Sequence, residues 1–251
     1  MTWRGTARRA VNVLLGVAGL EVVRRERGWA GDRDFADYIP HREVVRRARE
    51  SGLSVGDFID ATYNVPGATQ TTIDQMVALG VFADPVERVC EIGPGSGRYL
   101  QKTIELCHPK SYEIYETATE WRDWLVRTYG VTAHQPDGST LSQTPDRSVD
   151  LVHAHKVLYG LRITTLCRYL TEMARVVRPG GSVVFDVLTE DCLDSQTLEK
   201  WWASGARHAS TMTAYQFTVD YLTRLGLTLV GTFTIPMAPG VTRYFVFAAP
   251  R

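Results

Sequence analysis

Residues 89–97 read Val89-Cys90-Glu91-Ile92-Gly93-Pro94-Gly95-Ser96-Gly97. The apolar run reaching back to Val86 predicts a strand, and the alternating glycines predict a tight turn after it. Glycine lets the backbone pass close to a ligand where a side chain would clash. A helix predicted near residues 99–107 then turns its N-terminus toward whatever the loop faces. A glycine triplet also fits a plain strand-to-helix turn, so its neighbours decide.

Downstream the alternation repeats. Further strands are predicted at 111–115, 131–134, 148–154 and 182–188, with helices at 120–129 and 163–177. The second helix puts Ile163, Leu166, Leu170, Met173, Ala174 and Val177 on one face, and Pro179-Gly180-Gly181 ends it. A helix at 214–225 and strands at 227–235 and 242–249 follow. Alternating β and α units predict a mainly parallel sheet with helices on both faces. The last two strands face each other across residues 236–240, which predicts a hairpin and an antiparallel edge.

Residues 1–80 lack strand alternation. Val11, Leu14, Leu15 and Ala18 recur at helical spacing, and 42–50, 54–63 and 67–79 are further helical candidates. The expected organisation is a helical N-terminal cap over 1–80 and an α/β domain over 81–251.

The chain has 251 residues, 44% of them hydrophobic and 22% charged, which is ordinary globular material able to bury a full core. Twenty-eight basic and 28 acidic residues cancel, which argues against a dedicated nucleic-acid binder. Residues 1–50 nevertheless carry eleven Arg against seven acids. Cysteines 90, 107, 167 and 192 form no metal-type pair, which points to reduced thiols in a cytoplasmic protein. The apolar run 10–20 is too short to span a bilayer and lacks a signal-peptide cleavage site.

Glu116, nineteen residues after Gly97, ends the second strand, where a carboxylate can accept both hydroxyls of a ribose. Asp137-Gly138 follows the third strand, and Glu91 lies at the end of the first. With Asp150-Leu151-Val152 and Arg178-Pro179-Gly180-Gly181, this pattern resembles the class I S-adenosylmethionine-dependent methyltransferases over residues 85–251. The resemblance implies a Rossmann-like sheet of seven strands with the last antiparallel. It implies that Glu91, Gly93, Gly95 and Gly97 hold the methionine end of S-adenosylmethionine. It further places Glu116 on the ribose, and Asp137 with Gly138 at the adenine. A dehydrogenase would prefer Gly-x-Gly-x-x-Gly and a second nucleotide-binding half.

The fourth strand runs into His153-Ala154-His155-Lys156, and alternation puts both histidines on one face. His155, overlooking the crevice, is the candidate general base for a hydroxyl acceptor, because histidine titrates near neutrality. Its plain alternative is a backbone hydrogen bond in the loop. The amino-methyltransferase signature of nucleic-acid enzymes is missing after this strand. Asp186, Glu190 and Asp191 are too few to predict a metal site. Tyr63, Tyr159, Trp201 and His208 are candidate substrate contacts, as are Tyr38, His41 and Asn64 for covering the cofactor; each fits simple packing equally well.

The expected activity is transfer of a methyl group to a small-molecule hydroxyl, with a sugar or glycolipid favoured by the basic amphipathic stretch over 1–28. Such a stretch can lie on an anionic membrane surface or form a homodimer contact. Small-molecule N- or carboxyl-methylation and a non-catalytic cofactor-binding protein are the alternatives.

Overall fold

The computed structural model describes residues 39–204, 211–237 and 240–251. Seven strands form one sheet: β1 (Arg88–Ile92), β2 (Ser111–Tyr115), β3 (Thr132–His134), β4 (Val149–Ala154), β5 (Val177–Val187), β6 (Thr228–Met237) and β7 (Gly240–Ala248). Eight α-helices are described: α1 (His41–Glu50), α2 (Val55–Tyr63), α3 (Ala68–Ala78), α4 (Arg98–Cys107), α5 (Thr119–Tyr129), α6 (Ile163–Val176), α7 (Ser195–Ser204) and α8 (Tyr215–Arg224). None is long and apolar enough to cross a membrane. All four cysteines are free thiols.

The sheet order is β3-β2-β1-β4-β5-β7-β6. β1 pairs in parallel with β2 and β4, and β7 is antiparallel to both β5 and β6. The expected hairpin and antiparallel edge are present, with β7 interior and β6 outermost. Burial supplies the reason. Phe245 and Phe247 enter the core on one face of β7, while Tyr244 and Val246 enter the core on the other. β6 leaves Val230 exposed.

The two faces bury separate cores. Cys90, Ile92, Val152, Phe185 and Phe245 pack with Leu166, Leu170 and Met173 of α6. On the opposite face Val89, Ile114, Leu151 and Val246 pack with Leu100 of α4 and with Ile73 and Met76 of α3. Helix α3 therefore belongs to the sheet's core, although it falls within the cap expected from the sequence. Helices α1 and α2 make a third cluster around Trp121 of α5.

At the amino ends of the strands Asp150 accepts the N–H groups of Glu87 (2.9 Å) and Arg88 (2.6 Å) and pairs with Arg178. A Cβ on Gly181 would stand 2.7 Å from the Asp150 carbonyl, which explains a glycine there. These motif residues tie β1, β4 and β5 together at the end remote from the glycine turn. The opposite end, where β1, β2 and β4 finish side by side, is left to build the site.

Candidate functional site

The turn 93–97 leaves β1 and enters α4. Gly93, Gly95 and Gly97 have φ of 63°, 53° and 74°, the left-handed region that side chains disfavour. A Cβ on Gly97 would also run into Leu125 of α5. The turn is pinned below by Gly93 N–H donating to the Tyr115 carbonyl at 2.9 Å.

Glu116 follows the last residue of β2 and is buried. Its Oε2 accepts from Gly95 N–H and its Oε1 from Ala118 N–H, both at 2.7 Å. The two amides fix the plane of the carboxylate at the mouth of the glycine turn. Three left-handed glycines next to an oriented carboxylate at the carboxyl ends of parallel strands fit a nucleoside-bearing cofactor such as S-adenosylmethionine.

Asp137 lies beyond β3 and is exposed. Its Oδ1 accepts from Ser139 N–H (2.8 Å) and Thr140 N–H (2.7 Å), and Oδ2 accepts the Thr140 hydroxyl at 2.5 Å. These bonds, the Thr140 hydroxyl foremost, hold its carboxyl below the ordinary range. The carboxylate shapes the turn that contains Gly138 (φ 82°).

Glu91 and His153 occur on neighbouring strands at paired positions. Both point to the face covered by α4 and meet Tyr112 of β2 there. The Tyr112 hydroxyl donates to Glu91 Oε2 at 2.7 Å and lies 2.9 Å from His153 Nε2. His153 Nδ1 is 2.7 Å from His155 Nε2. His155 stacks on Tyr99 at 3.9 Å between ring centroids, with Nδ1 3.3 Å from the Tyr244 hydroxyl. The expectation that the two histidines share a face holds, and the site gains Tyr112, Tyr99 and Tyr244. No sequence pattern named these tyrosines, because their meeting depends on strand register across β1, β2, β4 and β7.

Burial dominates the electrostatics here. It pushes the Glu91 carboxyl up to about 8, against the pull of the Tyr112 hydrogen bond. It holds His153 neutral down to about 3 and draws His155 well below its ordinary value. At 5% exposure, with each ring nitrogen facing a partner, His155 is set back from open solvent.

Lys156 takes φ 60° directly after β4, an unusual conformation for a side-chain-bearing residue. Its N–H donates to Asp186 Oδ1 at 2.6 Å, and its ammonium reaches Thr242 at 2.7 Å. Glu190 accepts Tyr215 N–H, and Asp191 pairs with Arg243. The three acids of this region are thus engaged separately.

Among the substrate candidates, Tyr159 lies in the short 3-10 turn Leu158–Gly160, and its carbonyl accepts Thr211 N–H at 3.3 Å. Trp201 is half-buried on α7, and its neighbour Trp202 is exposed. Tyr63 ends α2 half-buried, and Asn64 donates to Asp60 at 2.9 Å. His208 and Tyr38 lie outside the described residues, as does the stretch 1–28.

A family profile described as a methyltransferase domain matches residues 64–231, well over half the chain. No curated protein sequence matches significantly. Among solved structures the chain is similar to an O-methyltransferase family protein from Burkholderia thailandensis (14% identity, 84% of this chain and 62% of that one, TM-score 0.58). It is similar to the N-methyltransferase NodS from Bradyrhizobium japonicum WM9 in complex with S-adenosyl-L-homocysteine (19% identity, 72% and 87% covered, TM-score 0.52). It is also similar to the cyclase SpnF (12% identity, 72% and 82% covered, TM-score 0.55). At these identities the likeness is one of fold, and three different chemistries share it. The matched profile, the sheet order and the glycine turn together place the chain in the methyltransferase-domain family, within the class I S-adenosylmethionine-dependent methyltransferases.

Proposed function

We propose that the chain methylates a small-molecule acceptor, with the glycine turn and Glu116 holding S-adenosylmethionine. The observation that carries this is the Gly95 N–H to Glu116 hydrogen bond at 2.7 Å. It joins the turn after β1 to the acid after β2 in the crevice where open α/β sheets take nucleotides. The cofactor supplies an electrophilic methyl group. The protein's remaining work is to align the acceptor and, for a hydroxyl, to take its proton.

Two acceptor classes divide on that proton. A hydroxyl of a sugar or glycolipid needs a base, and His155 offers only Nδ1, with the Tyr244 hydroxyl moved aside. The Thr211–Tyr159 contact brings residue 211 against the short turn after β4. An amine or carboxylate attacks without a side-chain base. The burial and depressed pKa of His155 favour this second class, because a base held neutral is a weak proton acceptor. We therefore rank the base-free acceptor first and the sugar hydroxyl second.

The test is S-adenosylhomocysteine release with panels of amine, carboxylate and sugar-hydroxyl acceptors, for wild type and His155→Asn. A hydroxyl acceptor predicts a loss of about 10²–10⁴ in rate for the variant. A base-free acceptor predicts a change within about threefold. Binding without release on any acceptor would leave a cofactor-binding protein. Contact of residues 1–28 with an anionic membrane is read by cosedimentation with anionic vesicles, and a homodimer by sedimentation equilibrium.

A further inference from the structure

The buried cluster is a continuous chain of polar contacts. The Tyr112 hydroxyl donates to Glu91 Oε2 at 2.7 Å and lies 2.9 Å from His153 Nε2. His153 Nδ1 stands 2.7 Å from His155 Nε2, and His155 Nδ1 stands 3.3 Å from the Tyr244 hydroxyl. One N–H on each neutral imidazole satisfies this chain, His155 Nε2 donating to His153 Nδ1 and His153 Nε2 donating to Tyr112. The same nitrogens can instead turn their lone pairs to a cation.

A ligating atom of Glu91 lies within 4.8 Å of one on each histidine, and all three residues are buried. Two imidazoles and a carboxylate form the donor set that zinc and its neighbours prefer. The Tyr112 and Tyr244 hydroxyls stand at the outer ring nitrogens, where metal-bound histidines almost always have an oxygen partner.

We infer that Glu91, His153 and His155 form a buried site for a divalent transition-metal ion of the zinc class, bridging β1 and β4 beneath the glycine turn. Tetrahedral coordination with metal–nitrogen bonds of about 2.05 Å needs ligand atoms about 3.3 Å apart, so the histidine pair opens by about 0.6 Å and Glu91, 3.9 Å from its nearest His153 nitrogen, closes in by at least as much. The inference does not depend on the acceptor. It gives His155 a ligand's task, which agrees with the base-free reading and excludes the hydroxyl reading that needs His155 as base.

The experiment is elemental analysis of the untagged full chain, as purified and after dialysis against Zn²⁺ or Co²⁺, with melting temperature followed through chelation and re-addition. The expected result is about one equivalent of metal per chain, with the absorption of tetrahedral Co²⁺ in the cobalt form. Chelation lowers the melting temperature and Zn²⁺ restores it. In His153→Gln and Glu91→Gln the content falls below about a tenth of an equivalent, while circular dichroism and a cooperative melt report a folded domain. Metal below about a tenth of an equivalent in wild type, before and after dialysis, overturns the inference and leaves a neutral hydrogen-bonded chain. Undiminished metal in both variants overturns it too. If a variant does not fold, the wild-type content decides. Failure of the methyltransferase reading would show instead as loss of S-adenosylhomocysteine binding in a protein that keeps its metal.

Discussion

A carboxylate that accepts two backbone amides is fixed in its plane as well as its position, and Glu116 does this from Gly95 and Ala118. Glu116→Gln keeps the shape but turns an NH₂ group toward one of those amides. A buried donor without an acceptor costs about 1–3 kcal/mol, so S-adenosylhomocysteine affinity should fall roughly ten- to hundredfold by calorimetric titration. Asp137 is exposed and its oxygens are engaged in its own turn. Asp137→Asn should therefore cost less than about threefold in the same titration, because an exposed polar group is easily rehydrated. Equal losses at the two positions would reverse this ranking of the acids. Gly97 makes a separate claim, on stability. At φ 74° and against Leu125, Gly97→Ala combines left-handed strain with overpacking and should lose about 1–3 kcal/mol in urea unfolding.

At the scale of elements, α1 docks on α5 through aromatic edges. His41 stands 5.0 Å from the Trp121 ring in a T-shaped contact, and neither of its ring nitrogens has a hydrogen-bond partner among the described residues. Burial pulls its pKa below the usual 6.5, with Glu120 pulling the other way. The unfolded chain thus binds that proton at a higher pH than the folded one. The contribution to stability is complete above pH 6.5 and is lost as pH falls through the folded value. Acidification should lower the melting temperature of wild type more than that of His41→Leu, and parallel curves would refute it. The elements themselves were largely legible, since strands such as 111–115 announce themselves by apolar runs between turn residues. β5 was not legible at its start. Pro179-Gly180-Gly181 looks like a break, yet the strand runs on from Val177 through an irregularity at Gly180 (φ 75°), because Val177 pairs with Val149 and Gly180 N–H bonds the Ala249 carbonyl at 3.0 Å. The glycine turn and Glu116 were readable because their spacing is local. The Glu91–Tyr112–His153 meeting was not, because it is set by pairing among strands 20 to 60 residues apart.

The whole molecule is a sheet with buried middle strands and thinner margins, and its opening should follow that order. β4 is buried at every residue, and β1 and β5 cover its two edges. β3 has three residues, none of them fully buried, and pairs on one side only. Amides at the centre of β4 should exchange only through global unfolding, at least about a thousandfold more slowly than those of β3, which open locally. Cofactor binding sharpens the contrast. A ligand that binds only the native state raises the global unfolding free energy by about 2.7 kcal/mol at a hundred times its dissociation constant. Saturating S-adenosylhomocysteine should therefore slow β4 exchange by about a hundredfold. The exposed margin of β6, remote from the glycine turn in the strand order, should keep its rate, because a local opening that leaves the cofactor site intact does not release the ligand. A uniform slowing across β3, β4 and β6 would mean that the margins open only with the whole sheet, and would refute the division between a cooperative centre and independent edges.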